Sequence, residues 1–282
     1  MAYTALFQRH ELKYLLDLSQ YAALRDALTP YMEPDRWPHS TVRSLYFDTP
    51  DLVLARRSAE KPAYKEKLRL RSYGPASGET PVFVELKKKY RGQVYKRRCQ
   101  AGYTQAMAWL CGQSEAPESS ATAREIDRFL GFYDSLAPAL LVSYERDSLR
   151  LCAGGSLSGA LMPAVLAAHD PSSPELRITF DRALEASARQ LSLEAAPSDI
   201  ELLGASQVLM EVKCAQAIPL WLSRLLSGLR LFPTSFSKYS RAWSQLLHTP
   251  RTRAVQTLAS SERNPLWIPP CSPPSLPQKA WG

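Results

Sequence analysis

The ten residues 65–74, KEKLRLRSYG, constrain the fold more than any other stretch of the sequence. Charged and apolar side chains alternate there at a spacing of two, which is the period of a β-strand. One face of the strand carries four cations, Lys65, Lys67, Arg69 and Arg71. The other face carries Glu66, Leu68 and Leu70. Because like charges on one side of a sheet repel each other, the cationic face looks either into water or toward a strongly negative ligand.

The same alternation predicts further short antiparallel strands at residues 5–16, 40–50, 82–89, 93–99, 138–151, 175–184 and 206–214. For any single strand, the simpler explanation is a half-exposed sheet with its polar side in water. Taken together, however, at least six strands contribute Lys or Arg to one face. The carboxylates among them are few, namely Glu11, Glu85, Asp181 and Glu211. A sheet closed into a barrel would gather these faces around one lumen, where a bound phosphate would neutralise them.

Helical spacing of apolar residues predicts helices at 18–31, 103–112, 123–133, 217–229 and 235–247. We expect Pro219 in the first turn of the fourth helix, where a missing N–H is tolerated. Residues 1–248 are therefore interpreted as one domain. Residues 249–282 hold seven prolines without periodicity and are predicted to be a disordered tail. The segment 153–174, rich in Gly, Ser, Ala and Pro, has no assignment.

The net charge of +8 and the pI near 9.3 favour a polyanionic ligand without choosing among nucleic acid, phosphate chains and a membrane surface. No apolar run reaches the roughly 18 to 20 residues of a membrane span, and the N-terminus lacks the layout of a signal peptide. The five cysteines are scattered without a CxxC motif, which predicts reduced thiols and a cytoplasmic protein.

Several other chemistries lack their motifs. There is no GxxxxGK[ST], so any ATP is not held by a P-loop, and there is no GxSxG nucleophile elbow. The four histidines show no zinc-ligand spacing. No RNA-binding signature is present, although sheet aromatics such as Tyr46 and Phe47 leave RNA binding open.

Eight motifs in order, RHELKY, SLYFDTP, KLRLRSYG, VFVELKKK, YERDSL, LRITFD, LMEVK and FSKYSRA, make the chain similar to a known family over about residues 5–245. The sequence resembles the VTC domain, which is the polyphosphate polymerase domain of the vacuolar transporter chaperone group. This group lies within the triphosphate tunnel metalloenzyme (CYTH-like) superfamily. One departure concerns the ExExK run with which triphosphate-hydrolysing relatives open. Here Arg9 replaces the first acid, leaving Glu11 and Lys13.

The resemblance implies an α+β fold, an eight-stranded antiparallel tunnel β-barrel with flanking helices. It also implies transfer of the γ-phosphate of ATP to a growing polyphosphate chain, with Mn²⁺ or Mg²⁺. The expected ligands are ATP and inorganic polyphosphate or pyrophosphate, and nucleic acid is not expected. Because no membrane span is found, any membrane partner would be a separate chain.

The resemblance also implies site residues. Those expected to line the tunnel and grip phosphate oxygens are Lys13, Arg69, Arg71, Lys87, Arg146, Arg177 and Lys238. Further phosphate contacts are expected from Lys67, Lys96, Lys213 and Ser237. Glu211 is the expected metal ligand, with Glu11 and Glu85 as additional carboxylates. Two alternatives remain open: a metal-dependent tripolyphosphatase or nucleoside triphosphatase on the same fold, and a non-catalytic module that binds polyanions.

Overall fold

The computed structural model describes residues 10–60, 62–91, 93–133, 135–152, 176–197, 199–214 and 217–248. Three sequence-based expectations lie outside these residues: the start of the first strand before His10, the segment 153–174, and the tail 249–282. Within the described residues the chain is an α+β protein built on one antiparallel sheet with flanking helices.

The nine strands of the sheet are β1 (His10–Asp17), β2 (Met32–Asp48), β3 (Tyr64–Tyr73), β4 (Pro81–Tyr90), β5 (Gln93–Gly102), β6 (Ala137–Leu151), β7 (Arg177–Ser187), β8 (Ile200–Glu201) and β9 (Gln207–Cys214). Their order is β1-β9-β7-β6-β2-β3-β4-β5, and the short β8 pairs with β7. The path begins at β1 and ends at β5, so the described strands do not close into a hydrogen-bonded barrel. The eight strands of this path match the expected number, whereas the expected closure of the barrel by hydrogen bonds is corrected.

Six helices are described: α1 (Leu18–Leu28), α2 (Val53–Glu60), α3 (Tyr103–Leu110), α4 (Ala121–Phe132), α5 (Leu220–Gly228) and α6 (Lys238–His248). Local hydrogen bonds explain where two of them begin. Asp17 caps α1 in a capping box with Gln20, and the Ser120 hydroxyl accepts from the backbone N–H of Ala123 at the start of α4. Pro219 lies at the N-cap of α5, just before the first turn in which it was expected.

Helix α2 was not predicted, because half of its eight residues are polar and the residues before it resemble a simple turn. The structure shows that Asp48 caps this helix. Its carboxylate accepts from the backbone N–H groups of Leu54 and Ala55, each at 2.9 Å. Strand β2 begins at Met32, whereas the sequence predicted a strand only from residue 40. The first half was missed because it contains Pro34 and Pro38, and proline is uncommon within strands.

The chain divides into two compact units, and three of the five boundaries between them fall within β2, β6 and β7. Unit 1 holds the described residues within 1–41, 144–184 and 203–237, and unit 2 holds those within 42–143, 185–202 and 238–282. Each unit has its own apolar core. In unit 1, Ile178, Met210 and Val212 pack with Leu24 of α1 and Leu222 of α5.

In unit 2, the apolar face of β3 and β4 is covered by helices α3 and α4. Leu68, Leu70 and Val84 are fully buried in one cluster with Trp109 and Ile126. Because successive residues of a strand point to opposite faces, the cations of β3 lie on the side of the sheet away from this core.

Two further expectations concern membranes and thiols. Among the helices of the described ranges, none is long and apolar enough to cross a membrane. Cys99, Cys152 and Cys214 are free thiols, whereas Cys111 is disulfide-bonded. The prediction of reduced thiols is therefore wrong for Cys111.

Candidate functional site

In unit 2, strand register assembles the predicted phosphate-binding residues into rows across the sheet. Arg69 of β3 lies opposite Tyr46 of β2 and opposite Glu85 of β4, and Glu85 lies opposite Arg98 of β5. The next row consists of three lysines, Lys67, Lys87 and Lys96. Directly opposite residues of antiparallel strands point to the same face. We call this surface, formed by Lys67, Arg69, Arg71, Glu85, Lys87, Lys96 and Arg98, the β3–β5 cationic face.

Glu85 is the centre of this face and is only 1% exposed. Arg69 donates to its Oε2 from Nε at 2.8 Å and from Nη2 at 2.7 Å. The ammonium of Lys96 lies 2.6 Å from Oε1, and Arg98 and Arg71 approach the carboxylate at 3.5 and 3.7 Å. Four cations therefore share one buried carboxylate, and the face keeps an excess of positive charge that an anionic ligand can neutralise.

These charges shift the pKa values of both partners. Burial by itself would raise the pKa of Glu85, but the charges of Arg69, Arg71 and Lys96 outweigh burial and hold that pKa well below its usual value. The Lys96 side chain is 43% exposed as a whole, although its ammonium end lies against Glu85. Burial of that end, with Arg69 and Arg71 acting in the same direction, lowers the pKa of Lys96 to about 8 despite the opposing effect of Glu85.

The Lys96 pKa predicts that anion binding depends on pH. We expect the affinity for long-chain polyphosphate to fall about tenfold from pH 7 to pH 9, because a charge-assisted contact is lost when Lys96 deprotonates. The internal phosphates of the ligand stay ionised over this range. The Lys96→Arg variant keeps its charge, so its affinity is expected to stay nearly constant. Binding titrations with polyphosphate at several pH values measure how the affinity of each protein changes with pH. An equal change for the two proteins would contradict the role of Lys96 in anion binding.

Aromatic side chains support the cationic face. Arg69 donates to the hydroxyl of Tyr46 at 3.1 Å, and Tyr46 stacks on Tyr239 of α6 with ring centroids 4.5 Å apart. The ammonium of Lys67 lies 5.3 Å from the centre of the Tyr239 ring. Burial would raise the pKa of Tyr46, but Arg69, Arg71 and Lys238 lower it below its usual value. Tyr239 in turn donates to the carboxylate of Asp48.

In unit 1, register builds a second set of rows across β1, β9 and β7. Lys13 lies opposite Glu211, and Glu211 lies opposite Thr179. The adjacent row contains Glu11, Lys213 and Arg177. We call the surface formed by Glu11, Lys13, Arg146, Arg177, Thr179, Asp181, Glu211 and Lys213 the β1–β9–β7 face. Acids and bases nearly balance here, unlike on the β3–β5 cationic face.

Glu211 is 6% exposed and contacts three cations. Lys213 donates to it at 3.0 Å, and Lys13 and Arg146 approach it at 3.5 Å each. Arg146 also donates to both oxygens of the fully buried Asp181, at 2.6 and 2.7 Å. Burial would lower the pKa of Arg146, but Tyr144, Asp181 and Glu211 raise it well above its usual value. The guanidinium of Arg146 is therefore a fixed positive charge.

The predicted cations Lys13 and Arg177 make additional contacts within unit 1. Lys13 donates to the backbone carbonyl of Phe236 at 2.9 Å. Arg177 forms an ion pair with Asp35 of β2 through Nη2, while its Nε is buried without a hydrogen-bond partner. Lys238, the first residue of α6, is 9% exposed.

The carboxylates Glu11 and Glu211 of the β1–β9–β7 face are the candidates to hold a divalent cation. Both contact the ammonium of Lys13, at 3.3 and 3.5 Å, so the two carboxylates flank one lysine. Mg²⁺ is commonly held by one or two carboxylates together with substrate phosphates and water. Across the described ranges, no group of three or more His, Cys, Asp or Glu residues is placed to hold an ion. The described residues therefore form no all-protein cage, and a cation on this face would have to share its ligands with a phosphate.

Glu85, the third carboxylate expected to bind metal, lies in a different environment. Its carboxylate lies among Arg69, Arg71, Lys96 and Arg98 and compensates their charge, and its role as a metal ligand stays a prediction.

Comparison with known families decides the relationship of the chain. The model of the VTC domain matches residues 8–157 and 167–247. The chain belongs to the VTC domain family. This match confirms the resemblance that the eight motifs indicated, and it covers the strands that carry both faces of this VTC domain.

Two solved structures are similar to the VTC domain. One is a candidate adenylate cyclase from Bacillus halodurans, with 13% identity and a TM-score of 0.45, covering 82% of this chain and 95% of that chain. The other is a candidate adenylate cyclase from Vibrio parahaemolyticus, with 10% identity and a TM-score of 0.39, covering 83% and 97%. A comparison with curated proteins found no match.

Three residues of the site were not predicted to belong to it: Tyr46, Arg98 and Thr179. Asp181 was counted among the carboxylates of the charged faces, but not among the phosphate-binding or metal-binding residues. The signal for two of the three was present in the sequence, because Arg98 shares strand period with Lys96 and Thr179 shares it with Arg177. The hydroxyl contact of Tyr46 with Arg69 had no local signal, because it depends on the pairing of β2 with β3.

Proposed function

We propose that this VTC domain is a metal-dependent polyphosphate polymerase, which transfers the γ-phosphate of ATP to a growing inorganic polyphosphate chain within a cationic tunnel. Family membership supports this proposal. The observation that carries it is the β3–β5 cationic face, where four cations share Glu85 and the next row consists of three lysines. A linear polyanion neutralises such rows along its whole length, which a single small anion cannot do.

Positioning and charge neutralisation supply most of the rate in phosphoryl transfer. Arg69 and Arg71 present planar forks that match the non-bridging oxygens of a phosphate, whereas Lys67, Lys87 and Lys96 act as point charges. In unit 1, Arg146 is held rigidly by Asp181 and supplies a fixed positive charge. Glu211 and Glu11 would hold Mn²⁺ or Mg²⁺, which offsets the charge that develops on the phosphate oxygens.

The acceptor in this reaction is the ionised end of a phosphate chain. One of its oxygens attacks the γ-phosphorus as the bond to the β-phosphate oxygen breaks, and ADP leaves with the bonding electrons. No proton has to be removed from the acceptor, so a strong general base is not required.

Hydrolysis by the same fold would require a base that activates water. The candidates for this base are Glu11 and Glu85. Glu85 is a weak base because its pKa lies well below the usual value, whereas Glu11 pairs with Lys13 at 3.3 Å. The state of Glu85 therefore supports transfer to a phosphate chain, and Glu11 is the carboxylate left for hydrolysis. The non-catalytic alternative would use the same cations without the carboxylates Glu11 and Glu211.

The deciding experiment incubates the purified protein with ATP and Mn²⁺ and separates the products by chain length. We expect long-chain polyphosphate and ADP in stoichiometric amounts. Free phosphate as the only phosphorus product beside ADP would replace the proposal with a triphosphatase. No ATP turnover, together with tight polyphosphate binding, would replace it with a non-catalytic binding module.

A further inference from the structure

Thr179 is a buried polar side chain whose hydroxyl has no partner. It is 2% exposed, and its Oγ1 makes no hydrogen bond in the structure. Buried hydroxyls are normally hydrogen-bonded, because leaving one unsatisfied costs free energy. A valine has nearly the same shape and avoids this cost. A bound ligand that accepts a hydrogen bond would explain why a threonine occupies this position.

Strand register shows where the hydroxyl lies. Thr179 is directly opposite Glu211, which is directly opposite Lys13, so the three side chains form one row on the same face of the sheet. Cβ atoms of directly opposite residues are roughly 5 Å apart, which puts the hydroxyl within reach of a ligand held beside Glu211.

A second buried donor without a hydrogen-bond partner lies on β7, on the same face as Thr179. The Nε–H of Arg177, two residues before Thr179, is also buried without a hydrogen-bond partner. Both groups can donate, and the cations Lys13, Arg146 and Lys213 surround the neighbouring Glu211. Two unused donors in a cationic neighbourhood have the chemistry of a site for phosphate oxygens.

We propose that Thr179 is a phosphate-binding residue of this face, whose hydroxyl donates a hydrogen bond to a non-bridging oxygen of a polyphosphate or nucleotide phosphate bound beside Glu211. This inference rests on the proposed function in its choice of ligand. It adds a neutral hydroxyl donor to a site for which only charged side chains and Ser237 were expected.

The test compares Thr179→Val, which keeps the shape and removes the hydroxyl, with Thr179→Ser, which keeps the hydroxyl. Binding of inorganic tripolyphosphate is measured by calorimetry in the presence of a chelator, so that metal affinity does not enter. We expect Thr179→Val to bind about tenfold more weakly than the unsubstituted protein, and Thr179→Ser to bind within about twofold of it.

Thermal unfolding without ligand separates ligand binding from a structural role. Because Thr179→Val removes an unsatisfied buried hydroxyl, we expect its unfolding temperature to equal or exceed that of the unsubstituted protein. Loss of affinity together with unchanged or raised stability supports the proposal. A lowered unfolding temperature in Thr179→Val would show that the hydroxyl serves the fold and would overturn it.

The outcomes also separate this inference from the proposed function. If Thr179→Val binds tripolyphosphate as tightly as the unsubstituted protein, while that protein still makes polyphosphate, the inference fails and the polymerase assignment stands. If the unsubstituted protein does not bind tripolyphosphate at all, both fail.

Discussion

Replacing Glu85 by glutamine is expected to lower the free energy of unfolding by about 3 to 5 kcal/mol. The substitution keeps the size of the side chain but removes the one negative charge that Arg69, Arg71, Lys96 and Arg98 share, at a position only 1% exposed. Four neighbouring cations would then repel each other without compensation. Chemical denaturation at neutral pH measures the difference between the two proteins.

Tripolyphosphate should reverse much of this loss. In the unsubstituted protein, a phosphate competes with the Glu85 carboxylate for the same arginines. The Glu85→Gln protein is therefore expected to bind tripolyphosphate more tightly and to gain more stability from it. If tripolyphosphate raised the stability of the Glu85→Gln variant no more than that of the unsubstituted protein, this would argue against anion binding on the β3–β5 cationic face.

The matched control is Glu125→Gln. Glu125 pairs with Lys88 and Arg97 at 2.8 and 2.9 Å, but its side chain is 30% exposed. Exposed ion pairs contribute little to stability, so Glu125→Gln should lower the free energy of unfolding by at most about 1 kcal/mol. If the two substitutions lowered this free energy equally, the special role of Glu85 would be contradicted.

The effect of Glu85 also has a defined pH dependence. Its pKa in the folded protein lies below the value in the unfolded chain, which is about 4.3 for a glutamate. The stabilisation is therefore complete above about pH 5 and decreases as the pH falls below the unfolded-state pKa. The stability difference between the unsubstituted protein and Glu85→Gln should accordingly be largest near neutral pH and shrink on acidification.

Replacing Glu211 by glutamine is expected to lower the rate of polyphosphate synthesis by about a hundredfold or more. Glu211 is the carboxylate that we propose to hold the divalent cation, and a neutral amide binds such a cation far more weakly. Polyphosphate binding in the presence of a chelator should be retained, because the substitution removes a negative charge from beside Lys13, Lys213 and Arg146. Product analysis and chelator-treated binding assays measure the two effects separately.

A surface carboxylate of the same unit provides the control for Glu211. Glu33 pairs with Arg150 at 2.8 Å, and its side chain is 36% exposed. Glu33→Gln should leave both synthesis and binding unchanged. If Glu211→Gln retained full synthesis, or lost binding in proportion to synthesis, Glu211 would not be a metal ligand.

The positions of the strands, and the side of the sheet on which each residue lies, could be predicted from the sequence because both follow from a local period of two. KEKLRLRSYG already separates the cationic side of β3 from the leucines that pack under α3 and α4. Register could not be predicted in this way, since it depends on pairing between distant segments. The contact of Arg69 with Glu85, sixteen residues away, follows only from the β3–β4 pairing.

The missed features have a common physical cause. Asp48 lies near the end of the strand predicted at residues 40–50, but its carboxylate is the cap of α2 and the acceptor for Tyr239. Thr179 has the same spacing as Arg177 and Asp181, yet nothing in the sequence shows that its hydroxyl lacks a partner. Hydrogen-bond satisfaction depends on tertiary neighbours, and local patterns carry no information about it.

The row of Lys67, Lys87 and Lys96 has a consequence for any affinity measured on this protein. A polyelectrolyte that docks on several adjacent lysines sheds its condensed counterions, and the entropy of their release is a large part of the binding free energy. The logarithm of the association constant should therefore fall linearly with the logarithm of the salt concentration. Ligands of different length can be ranked only at one ionic strength, and dilute buffer will favour the longest chain.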